Sequence, residues 1–546
     1  MKSPVAIYDT TLRDGTQGEG FQLSVADKLA ITELLDDLGA THVEGGWPGS
    51  NPRDEAYFAK AVRLPLSRAR VVAFGATRRA GMRCDADTSI QALLSAGTPS
   101  VTIFGKAWRF QASRALGISP EENLELIDDT VRYLKARVDE VIFDAEHFFD
   151  GYRDNPAYAL AALQAAAQAG ADALVLCDTN GGTLTHEVSM AVAQVASTTS
   201  RPIGIHAHND AELAVANSIA AVLAGASMVQ GTINGYGERC GNANLVSVIP
   251  ALSLKLGIEC IPRDKLALLT RIAHAVDELT NQVPRNNQPY VGRSAFAHKG
   301  GVHVNAVMKD SRTYEHVDPQ AVGNSRRVLV SDLSGKASVL LKAREHGIDL
   351  APDDPMAAEV LRRVKELESE GYEFEGAEAS FRLLISQAIG QRQRYFKLVR
   401  LNVSTHLADD SSTEAMQGGT ATCELSLSVG GVEADAIARG NGPVHAMDRA
   451  LRQVVDRFYP ALASMRLVDY KVRALSSGDG TAAFIRVLVQ STDGKEVWGT
   501  VGVSTNVIAA TWRAMVDAIE YKLMKDGMPS MNDATHPGKE RVSERA

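Results

Sequence analysis

Residues 201–210 read RPIGIHAHND, and this decapeptide decides the fold. Ile203 and Ile205 give it the β-branched bulk of a short buried strand, and it ends on polar residues. His206 and His208 are two apart, and a strand repeats every two residues, so both imidazoles belong to one face. Seven more runs share this form: VAIYDTT (5–11), THVEGGW (41–47), RVVAFG (70–75), SVTIFG (100–105), EVIFDAEH (140–147), ADALVLCDT (171–179) and MVQGTING (228–235). Helical patterns separate them. The first spans Ser24 to Leu38, with Ile31, Leu34, Leu35 and Leu38 on one face, Ser24 as N-cap and Gly39 as the stop. Eight βα units of about 30 residues each predict an α/β fold, a closed TIM-type (β/α)8 barrel over residues 1–257, in preference to an open doubly wound sheet.

In a closed barrel the strand ends share one rim, where catalytic groups collect. Arg13 and Asp14 follow the first strand, Glu44 closes the second, Glu146 the fifth, Thr179 follows the sixth, and Glu238, Arg239 and Asn242 follow the eighth. Asp14, His206 and His208 would then offer one carboxylate and two imidazoles to a divalent ion, leaving positions open for substrate. This N/O set suits Mn2+, Mg2+ or Zn2+. The plainer alternative has Asp14 capping a turn at Gly15 and the histidines as satisfied core groups, and it leaves the clustering unexplained.

Residues 258–394 read as mostly helical, with a helix that starts at Asp354–Pro355 and ends near Gly371. The segment GRSAFAHKGGVHVNAVMKDSRTYEHVDP (292–319) reads as a loop whose His, Gly and Lys content core packing does not require. Residues 395–527 change character. Cys423, Leu425, Leu427 and Val429 alternate with polar residues, which predicts a half-buried strand. Gly430–Gly431 reads as a hairpin turn, followed by the strand VEADAIARG and the helix VHAMDRALRQVVDRF. A looser copy follows, from AAFIRVLVQ to TNVIAATWRAMVDAIEYKL. The expectation is a duplicated strand–strand–helix α+β domain, then a polar, disordered tail at 528–546.

Composition narrows the classes. The 546 residues are 45% apolar and 23% charged, an ordinary globular balance. A net charge of −9 argues against a nucleic-acid binder. Five scattered cysteines without CxxC spacing point to reduced thiols and a cytoplasmic protein. No signal-peptide layout and no membrane-length apolar run is read. GNGP (440–443) is not a dinucleotide fingerprint, and no Walker motif occurs.

Three separated motifs carry a family resemblance: IYDTTLRDGTQ (7–17), HAHNDAELAVANS (206–218) and GYGERCGNANL (235–245). They resemble the isopropylmalate, homocitrate and citramalate synthases, aldolase-like metal-dependent barrels, in order and over nearly the whole chain. The opening and VEGGWPGSNPRD (43–54) are similar to the citramalate branch. The resemblance implies a Claisen-type condensation of acetyl-CoA with a 2-oxo acid, pyruvate first, on the route to isoleucine. It implies Asp14, His206 and His208 as metal ligands with Asn242 beside them. Arg13, Thr179 and Glu44 would bind substrate, and Arg13, Glu146, His303 and Tyr314 would be catalytic. Which of His303, Tyr314 and Glu146 is the base stays open. A homodimer is implied, with isoleucine as feedback effector near Gly440, Gly442, Ser504 and Thr505, where helix N-termini suit a carboxylate. One departure is Glu212, where the family often has glycine; the position reads as a helix start. The competing functions are a 2-isopropylmalate synthase, an aldolase or lyase on the same barrel, and a metal-bound sensor without catalysis.

Overall fold

The computed structural model describes residues 3–530 except 330–334, 346–347, 349–350, 352–353, 407–419 and 476–481. Eight parallel strands form a closed barrel in sequence order: β1 Ala6–Asp9, β2 His42–Gly46, β3 Arg70–Ala76, β4 Ser100–Lys106, β5 Glu140–Glu146, β6 Ala173–Asp178, β7 Ile203–Ala207 and β8 Met228–Gly231. Closure is made by β1 against β8, from Ala6 opposite Met228 to Asp9 opposite Gly231. Strand alternation divides the side chains between two cores. Tyr8, Val72, Ile142, Val175 and Cys177 fill the barrel, while Ile7, Val43, Val71, Val101 and Val141 join the surrounding helices. The helix Val25–Leu38 shows how local chemistry sets the boundaries. Ser24 and Asp27 form a reciprocal capping box, and Gly39 ends the helix at φ 95°.

The chain divides into two compact units, Met1–Phe296 with Glu315–Arg326, and Ala297–Tyr314 with Arg327–Ala546. In the first, the helix Leu269–Leu279 packs against Val25–Leu38. The second opens with a two-stranded parallel pair, β9 Ala297–His298 and β10 Arg327–Val328. The segment read as a loop at 292–319 contains the helix Gly301–Lys309, which carries His303. Its glycines at 300 and 301 mask the helical pattern, but they stand at the helix start rather than in its interior. The helix predicted from Asp354 is Pro355–Ser369, with Asp354 as its N-cap.

Two antiparallel sheets follow, β11 Lys397–His406, β12 Thr420–Val429 and β13 Val432–Gly440, then β14 Arg466–Ala474, β15 Ile485–Thr492 and β16 Val497–Ser504. The helices Pro443–Phe458 and Val507–Lys525 pack on them. Each copy therefore has three strands, not the two expected. The missed strands, β11 and β14, each carry a register shift, at Leu398/Arg400 and Leu467/Asp469, which breaks the alternation that marks a strand in sequence. The expected tail lies outside the described residues from 531 onward. Among the described residues no helix is long and apolar enough to cross a membrane.

Candidate metal centre and active site

The C-terminal rim of the barrel encloses a cavity of about 250 Å³. Arg13, Asp14, Glu146, Thr179, His206, His208, Glu238 and Arg239 line it, together with Gln17, Trp47, Phe74, Phe104, Asp144 and Cys177. Asp14 Oδ2 lies 3.5 Å from His206 Nε2 and 3.8 Å from His208 Nε2. One donor atom from each residue falls within 4.8 Å of the others. Buried Asp14 Oδ1, His206 Nδ1, His208 Nδ1 and Asn242 Oδ1 have no hydrogen-bond partner. Buried polar atoms ordinarily find one, and the orphan Asp14 Oδ1 and Asn242 Oδ1, beside the two Nε2 atoms that converge on Asp14, fit a divalent ion better than a closed core. Asn242 is held beside the cluster by a bridge to His208 and by donating Nδ2 to Tyr236 O at 3.1 Å. The loop around it turns too tightly for side chains. A Cβ on Gly241 would strike Gly235 O, and one on Gly237 would strike Asn242.

Electrostatics keep these donors unprotonated. Burial alone would raise Asp14, but Arg13 and the two imidazoles outweigh it and hold the carboxyl at about 2. Burial, reinforced by His208, pushes His206 down to about 3, and burial also lowers His208. Both imidazoles are therefore neutral at neutral pH, the form that ligates metals.

Arg13 bonds Asp14 at 3.2 Å and Glu44 at 2.6 Å through Nε, and its guanidinium stacks 3.7 Å from the Phe74 centroid. Glu44 departs from the expected substrate-binding role. It is fully buried, with Oε1 accepting from Tyr8 OH at 2.6 Å and Oε2 accepting from Thr10 Oγ1 and Arg13 Nε. Its geometry makes it the anchor that aims Arg13. Thr179 Oγ1 accepts the His147 N–H at 2.8 Å, so its own proton is free for the cavity. Arg239, on the cavity wall, pairs with Asp210 at 2.8 Å and donates to Thr179 O at 2.8 Å.

His303 and Tyr314, both in the second unit, stack with ring centroids 4.2 Å apart, and Tyr314 is 48% exposed. Of the effector candidates, Gly442 caps the helix Pro443–Phe458 without any side-chain bond. Gly440 closes β13 in such close approach that a Cβ would meet the backbone of Ala446. The second helix differs from expectation. Asn506, not Ser504 or Thr505, is its N-cap and already occupies the N–H groups of Ile508 and Ala509, while Ser504 Oγ accepts from Asn506 N. Glu212 is likewise not at a helix start. It sits at φ 59°, two residues before the helix Ala214–Leu223, in the left-handed region that favours glycine.

Sequence reading missed the aromatic wall of Trp47, Phe74 and Phe104, in which Phe74 and Phe104 stack at 5.4 Å. It also missed Lys106, ion-paired with Glu146, and Asp144, whose Oδ1 accepts from Gln230 at 3.0 Å. Burial, with Glu44 nearby, pushes the Asp144 carboxyl well above the usual range. The signal was available: Phe104 and Lys106, and Asp144 and Glu146, are two apart at strand ends, so each pair shares the inner face.

The chain belongs to the HMGL-like family, whose profile matches residues 4–276. The homocitrate synthase post-HMGL domain-like profile follows over 290–372, and the LeuA allosteric (dimerisation) domain over 375–523. Full-length relatives narrow the branch. The chain is 52% identical to the (R)-citramalate synthase of Aquifex aeolicus, over 96% of this chain and 99% of that one. It is 51% identical to the enzyme of that name from Geobacter sulfurreducens, over 96% and 98%. With a probable 2-isopropylmalate synthase of Methanopyrus kandleri, identity is 31% over 95% and 98%.

Proposed function

We propose that this chain condenses acetyl-CoA with pyruvate and hydrolyses the thioester formed, releasing (R)-citramalate and CoA. The observation that carries the reading is end-to-end likeness to (R)-citramalate synthases, five of them at 41–52% identity over 96% of the chain. The rim constellation supplies matching chemistry. Asp14, His206 and His208, with Asn242 alongside, would hold a divalent ion, which would supply a Lewis acid for the carbonyl of the oxo acid. Arg13, aimed by Glu44, donates to the oxygen on which charge develops. The Thr179 hydroxyl donates to the substrate carboxylate. Proton transfer from the acetyl methyl and to the product belongs to the set His303, Tyr314 and Glu146. Trp47, Phe74 and Phe104 bound the cavity with bulky rings, which favours a methyl on the acceptor over a branched chain.

The C-terminal copies are assigned to homodimer formation and to feedback by isoleucine, on the route this product feeds. Exposed Val399, Ile437, Val468 and Val472 on β11, β13 and β14 support a self-pairing surface. The uncapped N-terminus of the helix Pro443–Phe458 supports a carboxylate effector there. The enzyme is assigned to the cytoplasm. Thiol release from acetyl-CoA, measured with pyruvate, 2-oxoisovalerate and 2-oxoglutarate, tests the reaction. Pyruvate is expected to give the highest kcat/KM by at least about 10-fold, the lower end of what a methylene in an apolar pocket discriminates. A preference for 2-oxoisovalerate would move the chain to the isopropylmalate branch.

A further inference from the structure

Lys106 ends β4 and Glu146 ends β5, and the two stand opposite each other in the strand register. Lys106 Nζ donates to Glu146 Oε2, and the ammonium lies 5.3 Å from the Phe104 ring centroid. Both side chains are largely shielded, 13% and 24% exposed. The strand end is fixed from outside by Asn123, whose Nδ2 donates to Lys106 O at 2.8 Å. Phe104 and Glu146 line the same cavity as Arg13 and the Asp14–His206–His208 cluster. The other ionisable groups on Glu146's own strand and on β6 are Glu140, Asp144, Cys177 and Asp178, of which Asp144 and Cys177 line the cavity, and none brings a positive charge. Lys106 is thus the cation paired with Glu146, and it leaves Oε1 as the oxygen it does not engage.

We propose that Lys106 is a positioning residue of the active site. It pins the Glu146 carboxyl through Oε2 with Oε1 presented to the cavity, ready to accept a hydrogen bond or a proton during the condensation. An opposite charge at contact distance in a shielded site favours the ionised carboxylate. The stacked aromatic beneath the ammonium limits where the pair can swing. Arginine can keep the charge, whereas methionine keeps only the stem.

The consequence for catalysis rests on the function proposed above; the consequence for Glu146 itself does not, so the test has two arms. The first is infrared spectroscopy of the substrate-free protein, with the Glu146 carboxylate band assigned by its loss in Glu146→Gln. Lys106→Met and Lys106→Gln should both shift that band, because Oε2 loses its charge-assisted hydrogen bond. The second arm is kinetics with pyruvate. Lys106→Met should lower kcat on the order of 10²-fold, within the range of an acid–base contribution, with KM for pyruvate changed less than about threefold. Lys106→Arg should recover at least about a tenth of wild-type kcat. An unmoved band in folded Lys106→Met and Lys106→Gln would overturn the proposal. So would a loss in Lys106→Arg equal to that in Lys106→Met with KM rising in step. Absence of thiol release in the wild type would sink the proposed reaction instead, and the infrared arm would still decide the role of Lys106.

Discussion

The barrel rim and the C-terminal unit both bury charged groups, but they treat them differently. At the rim, Asp14 Oδ1, His206 Nδ1, His208 Nδ1 and Asn242 Oδ1 are buried and unpartnered. In the C-terminal unit unpartnered atoms such as Asp456 Oδ1 and Arg392 Nε are scattered singly, and the most deeply buried carboxylates are paired. Glu520, with no exposed surface, takes Arg392 at 2.7 Å, and Asp517 takes Arg392 at 3.0 Å and the Ser380 hydroxyl at 2.7 Å. That cluster joins the helices Glu378–Ala388 and Val507–Lys525. Burial of charge therefore does not mark function by itself. What marks it is burial combined with donor atoms that the protein leaves for something else.

Substitutions on the two sides should therefore fail in different ways. The largest effect is expected at His303, assigned to proton transfer. His303→Ala should lower kcat by about 10² to 10⁴-fold while leaving oxo-acid binding and thermal stability nearly unchanged. Mixing His303→Ala chains with Asp14→Ala chains should restore part of the activity if a homodimer shares its sites. No recovery in proven heterodimers would mean that each chain completes its own site. Glu520→Ala should show the opposite pattern. It removes one of the two carboxylates on Arg392, leaving Asp517, and should cost about 2 kcal/mol of stability, read by denaturant unfolding, with kcat per folded chain within about twofold of wild type. A kinetic defect without a stability defect would erase the distinction between the two clusters. The smallest effect is expected at Glu212, a non-glycine residue at positive φ. Glu212→Gly should stabilise the folded state by about 1 kcal/mol, read as a small upward shift in melting temperature. A destabilisation would mean that the Glu212 side chain contributes more than its backbone strain costs.

The same contrast governed what the sequence disclosed. The barrel was legible because each strand is short, apolar and closed by a polar residue at the rim, so the runs and the candidate ligands came from one pattern. Asp14, His206 and His208 were found that way, and they do converge. Glu44 was placed on the rim but its role was misread, since a fully buried carboxylate and one facing a cavity look alike in sequence. Lys106 was missed because the run was cut at Gly105, one residue before the inward-facing position. In the C-terminal unit β12, β13, β15 and β16 were legible from their β-branched runs and, for β12 and β13, the Gly430–Gly431 turn, where both residues have positive φ. The strands β11 and β14 were not, because a bulge shifts their alternation and they bury few side chains. The Asn506 cap was overlooked in favour of the adjacent Ser504 and Thr505, which have equivalent capping chemistry.

The central claim is that the unpartnered rim donors are a catalytic metal centre. Its most direct test is the metal content of the full chain after chelation and reloading with Mn2+, compared with His208→Ala, alongside pyruvate-dependent thiol release. The account predicts one tightly bound ion per wild-type chain, activity lost on chelation and restored on reloading. In His208→Ala it predicts loss of both, with wild-type circular dichroism retained. Wild-type metal content and turnover in folded His208→Ala, or full activity in the chelated wild type, would contradict it.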